Sequence, residues 1–163
     1  MPVQKEVYIV GGPNGSGKTT FVKQFLPQYV KVKNFVNADD IAVGLSPLDR
    51  GSMNIRSGRL MLELIKVFIY FLDLTEANLA VSRVRYRVQS GGHDIPEETI
   101  RRRYLRSRHN FWYTYRKLAD SWYLFNNSSK NPVVIANSVG DKKMNVFGQE
   151  YFDFFLGSIK IKD

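Results

Sequence analysis

The chain has 163 residues, 44% of them hydrophobic and 13% aromatic, and no cysteine. That is the size of one domain with enough apolar side chain for a core, so a disordered chain is excluded, as are disulfides, zinc-thiolate centres and cysteine nucleophiles. The formal net charge of +9 points to an anionic partner such as a nucleotide, a nucleic acid or a phosphorylated substrate; no apolar run reaches the length of a signal segment or a membrane span, and a soluble cytoplasmic protein is the expectation.

In chain order, Val7 to Val10 is a short, continuously apolar segment of the fully buried strand kind. A Gly-rich turn follows, and Thr19 to Leu26 reads as a helix stopped by Pro27. Residues 35–41 read as a second strand ending in a polar turn, and residues 53–65 as a helix. Val67 to Leu72 is a strand rich in β-branched and aromatic residues. Thr75 to Val88 is helical, with Thr75 or Asp73 as N-cap. The loop Gly91 to Pro96 leads into a long helix from Glu97 to about Lys117, with acids in its first turn. Trp122 to Phe125 and Val133 to Ala136 are further strands, and Phe147, Tyr151, Phe154 and Phe155 fit one packed helix. Strands alternating with helices predict an α/β fold with a mainly parallel sheet, organised as one domain over residues 1–163.

One junction resists this reading. The helix ending near Ile65 meets the strand beginning at Val67 with only Lys66 between, and no Gly, Pro, Asn or Asp turns the chain. Short helix-to-strand connections usually take about 2–6 residues. Either the helix is shorter, or a segment belonging between Ile65 and Val67 is absent.

The motif richest in chemistry is Gly12-Pro13-Asn14-Gly15-Ser16-Gly17-Lys18-Thr19, followed by Thr20. It fits G-x-x-x-x-G-K-[ST] between a buried strand and a helix, the setting of a phosphate-binding P-loop. Gly12, Gly15 and Gly17 let the backbone curl so that its N–H groups face phosphate oxygens, and the helix that follows adds its positive dipole end. Lys18 then bridges the β- and γ-phosphates, and the Thr19 hydroxyl ligates Mg²⁺. The plain alternative is a Gly-rich turn; the flanking strand and helix favour the P-loop, hence ATP and Mg²⁺ as the implied cofactors. The motif alone does not separate a kinase from a hydrolase or a motor.

Asp39 and Asp40 close the second strand, where ligands sit in parallel α/β sheets. A carboxylate there can take a proton from a substrate hydroxyl, or can cap the following helix, and spacing leaves both open. Asp73, at the end of the third strand, fits a Mg²⁺ ligand or, preferably, the cap of the next helix. His93 and His109 are too few for a metal site without cysteine, and His93 suits a turn or lid. Phe111, Trp112, Tyr113, Tyr115, Trp122 and Tyr123 suit packing better than base stacking. Residues 79–117 carry ten Lys/Arg, nearly all arginine, against three acids. Some of these guanidinium groups suit phosphate contacts, the rest a solvated helix surface.

Taken together, the stretches 10–20, 35–39, Gly58-Arg-Leu-Met-Leu-Glu63, 83–96 (ending Gly-Gly-His-Asp-Ile-Pro), Ile100-Arg-Arg-Arg-Tyr104 and 115–122 resemble the zeta-toxin-like P-loop kinases, the branch described as predicted ABC-type or zeta-toxin family ATPases. The resemblance covers most of residues 6–137. It implies a three-layer, nucleoside-kinase-like P-loop fold with an Arg-rich lid around residues 83–108. It also implies ATP-dependent phosphorylation of a small-molecule hydroxyl, UDP-N-acetylglucosamine in the best-known members. Asp39 then corresponds to the activating base, Lys18 to the P-loop lysine, and Arg83, Arg87 and Arg102, within the Arg101 to Arg103 group, to the lid on the transferred phosphoryl. An antitoxin protein becomes a possible partner; a membrane does not. The sequence departs from the family between Ile65 and Val67, where members carry a further strand with a Phe-Glu-Thr-Thr-like motif that helps hold substrate; a strand-plus-helix unit of about 20–30 residues would fit there. A nucleic-acid-acting P-loop kinase or ATPase, suggested by the basic charge, and a nucleotide-binding module without transfer activity are the alternatives.

Overall fold

The computed structural model describes residues 5–30, 65–140 and 143–160. Strand β1 (Lys5–Gly11) leads through the Gly-rich loop into α1 (Lys18–Gln24) and the short α2 (Leu26–Tyr29). Strand β2 (Ile65–Asp73), α3 (Ala77–Gln89) and α4 (Glu97–Tyr113) follow, with a 3₁₀ turn at Tyr115–Lys117. Strands β3 (Ser121–Asn126), β4 (Val133–Val139) and β5 (Asn145–Val146) and helix α5 (Gln149–Ile159) complete the described chain. The strand expected at 35–41, the helix expected at 53–65 up to residue 64, Asp39 and Asp40 lie outside the described residues.

The sheet order is β1-β2-β3-β4-β5. β1, β2 and β3 pair in parallel, with Val7 opposite Val67 and Ile69 opposite Trp122, whereas the β3–β4 and β4–β5 pairs are antiparallel. Four strands therefore share one direction and β4 alone runs counter, because the short polar turn after Asn126 makes a hairpin and leaves no room for a crossover helix.

The alternation of β2 explains the layers. Ile69 and Phe71 share one face with Trp122 and Leu124, against Phe111 of α4 and Phe152 and Phe155 of α5. Tyr70 and Leu72 share the other with Phe125, against Phe21 of α1 and Leu26 of α2. A strand buried on both faces has no polar position to spare, hence the unbroken apolar run in the sequence. Phe71 stacks on Phe111 with centroids 4.4 Å apart, and a third cluster of Leu74, Ala80, Val81, Val84, Ile100 and Tyr104 locks α3 to α4.

Four boundaries differ from expectation. Ile65 opens β2 and pairs with Lys5, so it does not belong to the helix expected over 53–65. Pro27 does not stop α1; it sits in the first turn of α2, where a missing N–H costs nothing. α3 begins at Ala77 with Glu76 at the N-cap position, so neither Thr75 nor Asp73 caps it. The long helix ends at Tyr113, and its last residues tighten into the 3₁₀ turn.

Candidate phosphate-binding site

Parallel strands end together, so the segments following β1, β2 and β3 meet at one edge. The Gly12–Gly17 loop is folded onto the other two. A Cβ on Gly12 (φ 143°) would lie 2.4 Å from the Leu72 carbonyl oxygen, and one on Gly15 (φ 76°) 2.7 Å from the Ala80 carbonyl oxygen. Both the positive φ and the close approach require glycine. Gly17 (φ 84°) precedes α1, and Phe21 N–H donates to its carbonyl at 2.8 Å, so the helix starts at Lys18.

Lys18 Nζ donates to the carbonyls of Gly12 (3.1 Å) and Pro13 (3.0 Å), which folds the ammonium back over the loop. Asn14 Nδ2 and Ser16 Oγ are buried without a hydrogen-bond partner among the described residues. A buried donor left this way costs about 1–3 kcal/mol unless a ligand satisfies it. A curled backbone that admits no Cβ, a lysine above it, a helix N-terminus and orphaned polar atoms form the donor set that a nucleotide's phosphate chain needs. The residues present thus fit ATP. Thr19 and Thr20 are exposed in the first turn of α1, at the mouth of the loop.

A cleft of about 1330 Å³ opens from this loop. Lys18, Thr19 and Thr20 line one side, Arg83, Tyr86 and Arg87 of α3 another, and His93, Asp94, Thr99 and Arg103 a third, with Asn127 and Lys130 beyond. The two lid groups expected from sequence meet here, though not residue for residue. Arg83 is half-buried, and burial lowers its pKa. Its guanidinium donates to the carbonyls of Asn127 (2.9 Å) and Ser128 (3.0 Å). Arg87 lies at the surface of the cleft and donates to His93 O at 2.8 Å, tying α3 to the Gly91 to Pro96 loop. On α4, Thr99 and Arg103 are four apart and both line the cleft, whereas Arg102 stands about 100° around the helix, exposed, and does not. Arg101 is held away by Glu97 (2.7 Å) and Asn78 (2.8 Å).

Asp73 is buried at the end of β2. Arg108 grips it through Nε–Oδ1 (2.8 Å) and Nη2–Oδ2 (2.6 Å), and the Tyr151 hydroxyl donates to Oδ2 at 2.9 Å. Burial pushes the Asp73 carboxyl upward and Arg108 and Tyr151 pull it down. Three donors converge on its two oxygens, which an ionised carboxylate satisfies and a protonated one does not. Asp73 is thus a buried anchor; in the structure it neither caps α3 nor opens toward the cleft. Sequence reasoning passed over its partners Arg108 and Tyr151, and also Asn127, because each sits inside a segment read for its bulk or its charge. Arg108 carried one usable signal: it shares a helix face with Tyr104 and Phe111, at offsets of four and three, where a solvated arginine does not belong. Phe111 and Trp122 are buried, as packing predicted, while Tyr113 and Tyr115 are exposed. No cluster of potential metal ligands occurs among the described residues, and no described helix is long and apolar enough to cross a membrane.

No protein-family model matches the chain, and no curated protein does. Its fold is similar to that of solved structures of the AvrRxo1-ORF1:AvrRxo1-ORF2 complex, one with sulphate ions and one with ATP. Each shows 16% identity and a TM-score of 0.65, covering 99% of this chain and 66% of that one. The native form of the complex gives 17% identity and the same TM-score over 98% of this chain and 66% of that one. The chain therefore spans slightly less than two thirds of the chains it matches, and with them it shares an α/β fold in which helices cover both faces of a mostly parallel sheet.

Proposed function

We propose that the chain binds ATP·Mg²⁺ through Gly12 to Thr20 and transfers the γ-phosphoryl group to a hydroxyl of a small molecule. The observation that carries this is the loop itself: Lys18 is pinned over Gly12 and Pro13 at the head of α1, in a cleft that Arg87 and Arg103 also line. The solved AvrRxo1-ORF1:ORF2 complex with ATP supports the same ligand on the same fold. In this reading the loop N–H groups would hold the phosphate chain, and Lys18 would turn from the carbonyls to the β- and γ-phosphates. The Thr19 hydroxyl would hold Mg²⁺, which would supply charge neutralisation for the transfer.

Transfer forms a bond from the acceptor oxygen to the γ-phosphorus and breaks the bond to the β,γ-bridging oxygen, leaving ADP; the acceptor proton passes to Asp39. Arg87 and Arg103, on the two walls of the cleft, stabilise charge on the equatorial oxygens. Arg83, committed to the carbonyls of Asn127 and Ser128 and reaching that of Gly15 at 3.5 Å, shapes the loop instead. The resemblance to zeta-toxin-like kinases makes a UDP-N-acetylglucosamine-like sugar nucleotide the first acceptor to try. A protein partner in the manner of an antitoxin belongs to the same reading, since AvrRxo1-ORF1 is solved as a complex with AvrRxo1-ORF2. Calorimetric titration with MgATP and ADP release in the presence of UDP-sugars test it. Asp39→Asn is expected to keep ATP affinity and lose most transfer, with Asp40→Asn far milder; no ATP binding by the unaltered chain ends the proposal.

A further inference from the structure

Asn127 is the first residue after β3, buried, and belongs to none of the motifs above. Its main chain and side chain bond to three segments. Its N–H donates to Asp73 O (2.8 Å), its carbonyl accepts from Arg83 Nη1 (2.9 Å), and its Nδ2 donates to Ser16 O at 2.6 Å. The amide orientation follows from chemistry: Ser16 O can only accept, so the group facing it is the NH₂. The same nitrogen stands 2.6 Å from where a Cβ on Gly17 would be.

From this geometry we infer that Asn127 is a positioning residue for the phosphate loop, acting through the Ser16–Gly17 peptide; the inference rests on the ATP-binding reading above. Ser16 O and Gly17 N–H belong to one planar trans unit and point opposite ways. Holding the oxygen against Asn127 therefore fixes where the Gly17 N–H points. Gly17 is also the N-cap residue of α1, so the bond orients the start of that helix together with Lys18. Arg83 and the Asp73 main chain hold Asn127 in turn, so the loop is aimed by β2 and α3 rather than by its own turn alone. The absence of a side chain at position 17 and the presence of Asn at 127 are two halves of one contact.

The test compares the full chain with Asn127→Asp, which keeps the shape and loses the donor, and with Asn127→Leu, which loses it without adding charge. MgATP dissociation constants are read by calorimetry, and amide hydrogen exchange across residues 15–20 is read without ligand. Both variants are expected to weaken MgATP by about tenfold or more, the effect of losing one hydrogen bond to a buried carbonyl, and to speed exchange in that loop while β2 and α5 keep their protection. Unchanged affinity and unchanged loop exchange in a folded variant overturn the positioning role. Loop exchange that rises only together with β2 and α5 overturns it too, since Asn127 would then support the fold and not the loop. If the unaltered chain fails to bind MgATP, the ATP reading falls and the inference with it. If the unaltered chain binds, Lys18→Ala does not and the Asn127 variants bind normally, the inference alone falls.

Discussion

Arg108 and Asp73, 35 residues apart in sequence, form the one solvent-shielded ion pair among the described residues, with side chains 1% and 0% exposed. The guanidinium also lies 4.8 Å from the Tyr104 ring centroid and 5.2 Å from that of Phe155, and Nη1 reaches Ser158 Oγ at 2.8 Å. Burial alone would disfavour the charge, yet the bonds to Asp73 outweigh it and raise the Arg108 pKa. Removing one member strands the other's charge, so Arg108→Met is expected to cost about 3–5 kcal/mol of unfolding free energy. The pair of changes Asp73→Leu with Arg108→Met should cost much less than the two singles added together. Urea unfolding measures both, and additive costs would show that the pair is not coupled.

Two arginines that neighbour each other on α4 differ in what they face. Arg103 lines the cleft and Arg102 does not. Arg103→Ala should lower kcat by about 100-fold, the scale of one lost charge-stabilising donor, with a small change in ATP affinity. Arg102→Ala should leave both within about twofold. Steady-state ADP production measures this, and equal effects at the two positions would place the lid elsewhere.

Gly15→Ala places a Cβ 2.7 Å from the Ala80 carbonyl oxygen at a φ of 76°. The backbone of α3 cannot give way as a flexible side chain would, so the loop must move. MgATP affinity should fall at least about tenfold in calorimetry while the circular dichroism of the helices persists, since the strain is local. Wild-type affinity in this variant would mean that the observed loop shape is not the binding shape.

Glu97 accepts from Arg101 of its own helix at 2.7 Å and joins α4 to α3 by accepting from Arg85 at 2.6 Å. The bond from Arg101 is the main cause of its lowered pKa, relative to an ordinary 4.5. A depressed folded pKa contributes stability that is present above 4.5 and disappears as pH falls through the lower folded value. Thermal melts of wild type and Glu97→Gln should therefore differ only slightly near neutrality, because the site is exposed and screened, and converge as the pH falls below the lowered value of the carboxyl. A difference that grows on acidification would reverse the assignment.

The parts of the fold governed by local pattern were legible in the sequence. β2 and β3 show as dense apolar runs, and the Gly12 to Thr19 motif fixes its own loop between a strand and a helix. The reversed strand β4 was less so, because direction depends on the length of the connection and not on strand composition. Pro27 misled because the same ring that ends one helix can begin the next. On α4 the arginine cluster was visible but its phase was not. One residue of helix rotation separates Arg102 from Arg103, and only the packing of Ile100 and Tyr104 sets it. Arg108 hid in a run of like residues, and its partners Asp73 and Tyr151 lie in other elements, where no spacing rule reaches.

The bond from Asn127 to Ser16 spans 111 positions of chain. During synthesis the Gly-rich turn emerges long before the strand that will hold it, and the described parallel neighbour of β1, Ile65 to Phe71, appears only later. Contacts of such separation form slowly, since the intervening chain must be closed first. A nascent chain halted before residue 127 thus carries the whole Gly12 to Thr20 sequence without its Ser16 tether, and one halted before Tyr151 lacks the third donor on Asp73. The proposed phosphate loop is written early and its tether comes late, so the order of translation itself delays the moment at which the loop takes its final shape.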